Sequence, residues 1–77
     1  MWNKQDDKLY CRLKFDDFKE SIEFINKVAD LAEQKNHHPT IRNTYNVVEL
    51  WLTTHDQGDA VTQKDIDLAA EIEHLLD

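Results

Sequence analysis

The sequence predicts an α+β fold, an antiparallel sheet with helices packed on one face. Three patterns carry that expectation. Apolar and polar residues alternate strictly from Lys8 to Phe15, a second alternating run contains Val48, Leu50 and Leu52, and apolar residues recur at three- and four-residue steps after Asp17 and again after Thr62. A period of two marks a half-buried strand, and a period near 3.6 marks an amphipathic helix. The order strand, helix, strand pair, helix places the helices together on one side of the sheet.

The first alternating run sets Leu9, Cys11, Leu13 and Phe15 on one face and Lys8, Tyr10, Arg12 and Lys14 on the other. Ahead of it, Trp2 to Gln5 reads as a short partner strand, closed by a turn at Asp6 and Asp7. Asp16 or Asp17 can cap the next helix, whose stripe is expected at Phe18, Ile22, Ile25, Val28, Ala29 and Ala32. Pro39 biases His38 away from helical backbone, so the helix should end at about Asn36, beside a histidine pair.

A turn is expected at Asn43-Thr44, between an extended piece at Thr40 to Arg42 and the second run. Opposite Val48, Leu50 and Leu52 lie Val47, Glu49, Trp51 and Thr53, a face whose tryptophan suggests partial cover by another chain. Gly58, the one glycine, sits in the polar loop His55 to Ala60, where positive φ is easiest to adopt. Thr62 then opens the last helix. Asp65 stands three residues on, where a capping box usually has Glu or Gln, and Ile66, Leu68, Ala69, Ile72, Leu75 and Leu76 are its expected buried stripe.

The 77 residues make one domain, residues 1–77, close to the size at which a single core is only marginally stabilising. A single cysteine closes no intrachain disulfide, which leaves oligomerisation as the expected source of extra stability. The polar start and the lack of a long apolar segment lead us to expect a soluble, cytoplasmic protein with no membrane partner. A net charge of −7, with the cations spread singly along the chain, argues against direct nucleic-acid binding. A small neutral ligand or a protein partner fits better.

Three of the 4 histidines fall beside element ends, His37 and His38 after the long helix and His55 after the long strand. Imidazole titrates near neutrality, so such a cluster can give one proton and take another in the same turnover. Other readings stand beside this one. The histidines can be solvated loop residues, or His37 can simply favour the negative end of the helix dipole. A three-histidine zinc site is a further alternative, though no HExxH-type pair is present. Glu33, four residues before His37, either orients that imidazole or forms an ordinary surface pair. Cys11 belongs to the buried strand face and His74 to the surface. No phosphate-cradling glycine loop, nucleophile elbow or paired metal carboxylates occur.

The series Glu33-Gln-Lys-Asn-His37-His38-Pro39, Tyr45-Asn46, Thr54-His55-Asp56 and Thr62-Gln-Lys-Asp65 resembles the pterin-4a-carbinolamine dehydratases in order and spacing. The resemblance runs from about Leu9 to Leu76. It implies a four-stranded antiparallel sheet with helices on one side, assembled into dimers by sheet extension and often into tetramers through the long helices. It further implies a dehydratase acting in tetrahydrobiopterin recycling, with no cofactor and no metal. The positions matching His37 and His55 would be general acid and base, that of His38 would bind the pterin substrate, and Glu33 would be the orienting carboxylate. Asp65 matches a helix-start acidic position, read as a cap.

Three departures qualify the match. The family's usual N-terminal helix is lacking, the loop after His55 is one residue longer than is typical, and Ile41 stands where many members have an aromatic. The alternative implied by the family is a non-catalytic homologue acting as a protein-binding or transcription-regulatory partner.

Overall fold

The structure is a computed structural model that describes residues 1–76. Its elements are β1 (Asn3–Gln5), β2 (Lys8–Lys14), α1 (Phe18–Lys35), β3 (Thr40–Thr44), β4 (Val47–Leu52), a 3-10 turn at His55–Gln57 and α2 (Gln63–His74). The strands form one antiparallel sheet in the order β1-β2-β4-β3. β2 and β4 are its central pair, with Cys11 opposite Leu50 and Leu13 opposite Val48. Both helices contribute to the core on one face of that sheet, where Phe24, Val28, Leu68, Ala69 and Ile72 pack with Cys11, Val48, Leu50 and Leu52. The expected fold class holds.

Local chemistry explains the boundaries. Asp6 and Asp7 both take positive φ, 49° and 62°, as a tight turn between two antiparallel strands requires. Asp17 is extended and its Oδ1 accepts the amide of Glu20 at 2.8 Å, which starts α1. Gly58, at φ 71°, closes the 3-10 turn with its N–H on the His55 carbonyl. The N-terminus is tied to the last helix by Trp2, whose indole N–H donates to the Ala69 carbonyl at 3.2 Å.

Three expectations are corrected. The turn lies at Tyr45-Asn46, because Asn43 extends β3 and spans the turn, its amide donating to the carbonyls of Tyr45 and Val47 at 3.1 and 2.9 Å. The buried face of α1 is Ser21, Phe24, Val28 and Ala32, while Phe18 is 51% exposed. This helix carries two overlapping apolar stripes, and packing selects the one in which Phe24 meets Phe15, ring centroids 5.1 Å apart. Ser21 fits there because its hydroxyl is satisfied by the Asp17 carbonyl at 3.1 Å. In α2 the inward positions are Asp65, Leu68, Ala69 and Ile72, so Ile66, about 100° round the helix from Asp65, faces solvent.

Candidate active site

The end of α1 aims the histidine pair. Asn36 adopts left-handed backbone (φ 49°, ψ 44°), and its N–H reaches the carbonyls of Ala32 and Glu33. The N–H of His37 donates to the Ala32 carbonyl at 3.0 Å. The last turn is thereby satisfied and the chain reverses. His37 lies beyond that reversal rather than in the helix, so the expected pairing with Glu33 at four-residue spacing does not form. Asn36→Val should destabilise the protein by about 1–2 kcal/mol, because a branched side chain resists positive φ, whereas Asn36→Gly should be close to neutral. Urea denaturation of the two variants measures the difference.

His37 turns instead toward the start of α2. Its Nε2 lies 2.6 Å from Oδ1 of Asp65, whose side chain is fully buried. The other oxygen, Oδ2, accepts the Thr54 hydroxyl at 2.7 Å and the Thr62 amide at 2.9 Å. The Thr62 contact is one half of a capping box, so the carboxylate that starts α2 also holds an imidazole. Burial by itself would raise the Asp65 pKa. Donation from His37, from the Thr62 amide and from the Thr54 hydroxyl outweighs burial and holds it below the ordinary 3.8. An ionised carboxylate only accepts, so Nε2 of His37 carries the proton and Nδ1 remains to exchange one.

His38 and His55 are each held by a carboxylate as well. Nε2 of His38 contacts Oε2 of Glu33, and Nδ1 of His55 lies 2.6 Å from Oδ1 of Asp59. Both pairs are solvated: His38 is 55% exposed and His55 81%, against 12% for His37. The three histidines line one cleft of roughly 380 Å³ together with Asn36, Thr53, Thr54, Asp56 and Lys64. That volume lies at the lower end of the range for small-ligand sites, about 300–1,000 Å³.

Glu33 reaches this cleft only through His38. Cys11 is buried in the core, and burial pushes its thiol up to about 12, well away from the thiolate range. Among the described residues, no three His, Cys, Asp or Glu side chains are gathered as metal ligands.

Sequence reasoning placed the three histidines but missed the double use of Asp65 and the Asp59 partner of His55. A signal for Asp65 existed. A capping box built with Asp has a shorter reach than one built with Glu, which draws the carboxylate in against the helix start.

Comparison with known proteins identifies the family. The sequence profile described as Pterin 4 alpha carbinolamine dehydratase matches residues 1–75. A protein of Picosynechococcus sp., whose name places it provisionally among the pterin-4-alpha-carbinolamine dehydratases, is 49% identical over 74 residues. The match takes in 96% of this chain and 79% of that protein. A similarly named protein of Thermomicrobium roseum is 45% identical over 74 residues, 96% of this chain and 78% of that one.

Among solved structures, a transcriptional coactivator/pterin dehydratase from Brucella melitensis superposes with a TM-score of 0.89 at 35% identity. It covers 95% of this chain and 79% of that one. A pterin dehydratase-like protein identified as a RuBisCO assembly factor in the alpha-carboxysome shares the fold, with a TM-score of 0.77 at 20% identity. The overlap is 97% of this chain and 86% of that one. A profile match over nearly the whole chain, relatives well above 40% identity and a shared architecture agree: the chain belongs to the pterin 4 alpha carbinolamine dehydratase family.

Proposed function

We propose that this chain dehydrates a 4a-hydroxytetrahydropterin to the quinonoid dihydropterin, with His37 and His55 as general acid and base. His38, backed by Glu33, binds the pterin. One observation carries the proposal: His37 and His55 line the same cleft, and in each a carboxylate holds one ring nitrogen and leaves the other to exchange protons.

The chemistry needs no more than that. One imidazolium protonates the departing 4a-hydroxyl, the carbon–oxygen bond breaks, and water leaves. A neutral imidazole takes the proton from the neighbouring ring nitrogen, whose electron pair closes the double bond to the former carbinolamine carbon. After each turnover the acid has lost a proton and the base has gained one, so both exchange with solvent before the next, and Asp65 keeps the His37 ring oriented throughout.

The test is the conversion of freshly generated 4a-hydroxytetrahydropterin against the uncatalysed rate, with chelator present. Acceleration that resists chelation, and falls by about 10²–10⁴ in His37→Ala or His55→Ala, is the expected result. Equal rates in wild type and both variants, all folded, would refute the reading and transfer the weight to a non-catalytic partner protein.

A further inference from the structure

The open face of the sheet, turned away from both helices, gathers a set of side chains that the proposed site does not use. Cations separated by several residues in sequence meet here because alternation sends Lys8, Arg12 and Lys14 to one side of β2. Register adds Arg42 of β3, which is paired with Glu49 of β4, itself opposite Arg12. Glu49 is already engaged: the Tyr10 hydroxyl donates to its Oε2 at 2.6 Å, and Arg42 Nε lies 3.8 Å from its Oε1. Beside this row Tyr10 and Trp51 are cross-strand partners with ring centroids 5.2 Å apart. The four cations therefore stand around one occupied carboxylate and an aromatic pair, on a chain whose net charge is −7.

We infer that this open face docks an acidic protein segment, whose carboxylates meet Lys8, Arg12, Lys14 and Arg42 and whose apolar side chain packs on the Tyr10–Trp51 pair. Charge complementarity selects the occupant. Trp, Tyr and Arg are the side chains that dominate binding energy at protein interfaces, and here they are adjacent. A nucleic acid carries evenly spaced phosphates along its length, and Glu49, between Arg12 and Arg42, interrupts the cation row that would have to follow them. A second copy would have to offer a different surface from this one, a head-to-tail contact that closes only where its rotation completes a ring.

Fluorescence anisotropy of a labelled short peptide of alternating Glu and Leu tests the inference, with a single-stranded oligonucleotide of equal length as competitor. Saturable peptide binding that weakens with added salt is expected. Lys8→Glu/Lys14→Glu should weaken it by about tenfold, since two attractions become repulsions. Neither lysine faces a carboxylate across the sheet, Lys8 lying opposite Gln5 and Lys14 opposite Val47, so the double variant should keep the melting temperature and dehydration rate of the parent. Trp51→Ala should weaken binding independently of charge.

Peptide affinity unchanged in both variants would overturn the inference. So would tighter binding of the oligonucleotide, or self-association that shields Trp51 from a soluble quencher. The measurement contains no pterin, so its failure leaves the dehydratase proposal untouched.

Discussion

Asp65→Asn is expected to lower the dehydration rate by about 10²–10⁴ while leaving the cleft intact. The amide has the shape of the carboxylate, and its oxygen can still accept from the Thr62 amide and the Thr54 hydroxyl, the donors now on Oδ2. Its NH₂ then faces His37 Nε2, which must accept, and the proton moves to Nδ1. The imidazole keeps its place and loses its working tautomer. A fall in kcat at little-changed KM separates this from general damage, because the ring still lines the cleft and only its proton sits on the wrong nitrogen.

The same variant has a stability signature. The Asp65 carboxyl is held below its ordinary value, so its contribution is complete above about pH 3.8 and is lost as pH falls through the depressed native pKa. Urea melts in that acid range should fall less steeply with pH in Asp65→Asn than in the parent. Near neutrality the variant should be less stable by about 1–3 kcal/mol, because a charge-assisted hydrogen bond to a buried group has been weakened.

Leu50→Ala is expected to cost about 2–5 kcal/mol, the range for emptying a buried leucine site. Leu50 is fully buried at the middle of β4, with Cys11 on one side and Ile41 on the other. A chain of 77 residues has a total stability of only about 4–12 kcal/mol, so one substitution removes a large share of it. Ile41→Ala, at a neighbouring position that is 37% exposed, should cost under about 1 kcal/mol. The two urea midpoints, compared at equal m-value, measure the contrast.

Strands and helices were legible where one periodic pattern had no rival. The alternation in β4 named Val48, Leu50 and Leu52, and all three are fully buried. Helix α1 offered two stripes, and the choice depended on Phe15, outside the helix and beyond the reach of its own periodicity. The hairpin turn was misplaced because Asn43 has the composition of a turn residue, and its side chain serves the turn from the strand beside it. The histidines of the site stood out in the sequence because each falls beside an element end, and all three line one cleft. The partner of His37 lies 28 positions away and meets it only when α2 docks. The local rule that tied Glu33 to His37 failed at Asn36, where one left-handed residue ends the helix first.

The sheet order has a consequence for how the molecule assembles. β3 and β4 are joined by a two-residue turn and can pair early, but the central pair β2–β4 encloses the whole chain from Phe15 to Asn46. That loop is clasped at its mouth, the Phe15 amide donating to the Asn46 carbonyl at 2.8 Å and the Asn46 side chain to the Phe15 carbonyl at 3.0 Å. Closing it costs entropy before burial of Leu13 against Val48 compensates. The folding rate should therefore follow the helicity of α1, which shortens the enclosed loop, more closely than it follows the strength of either edge strand.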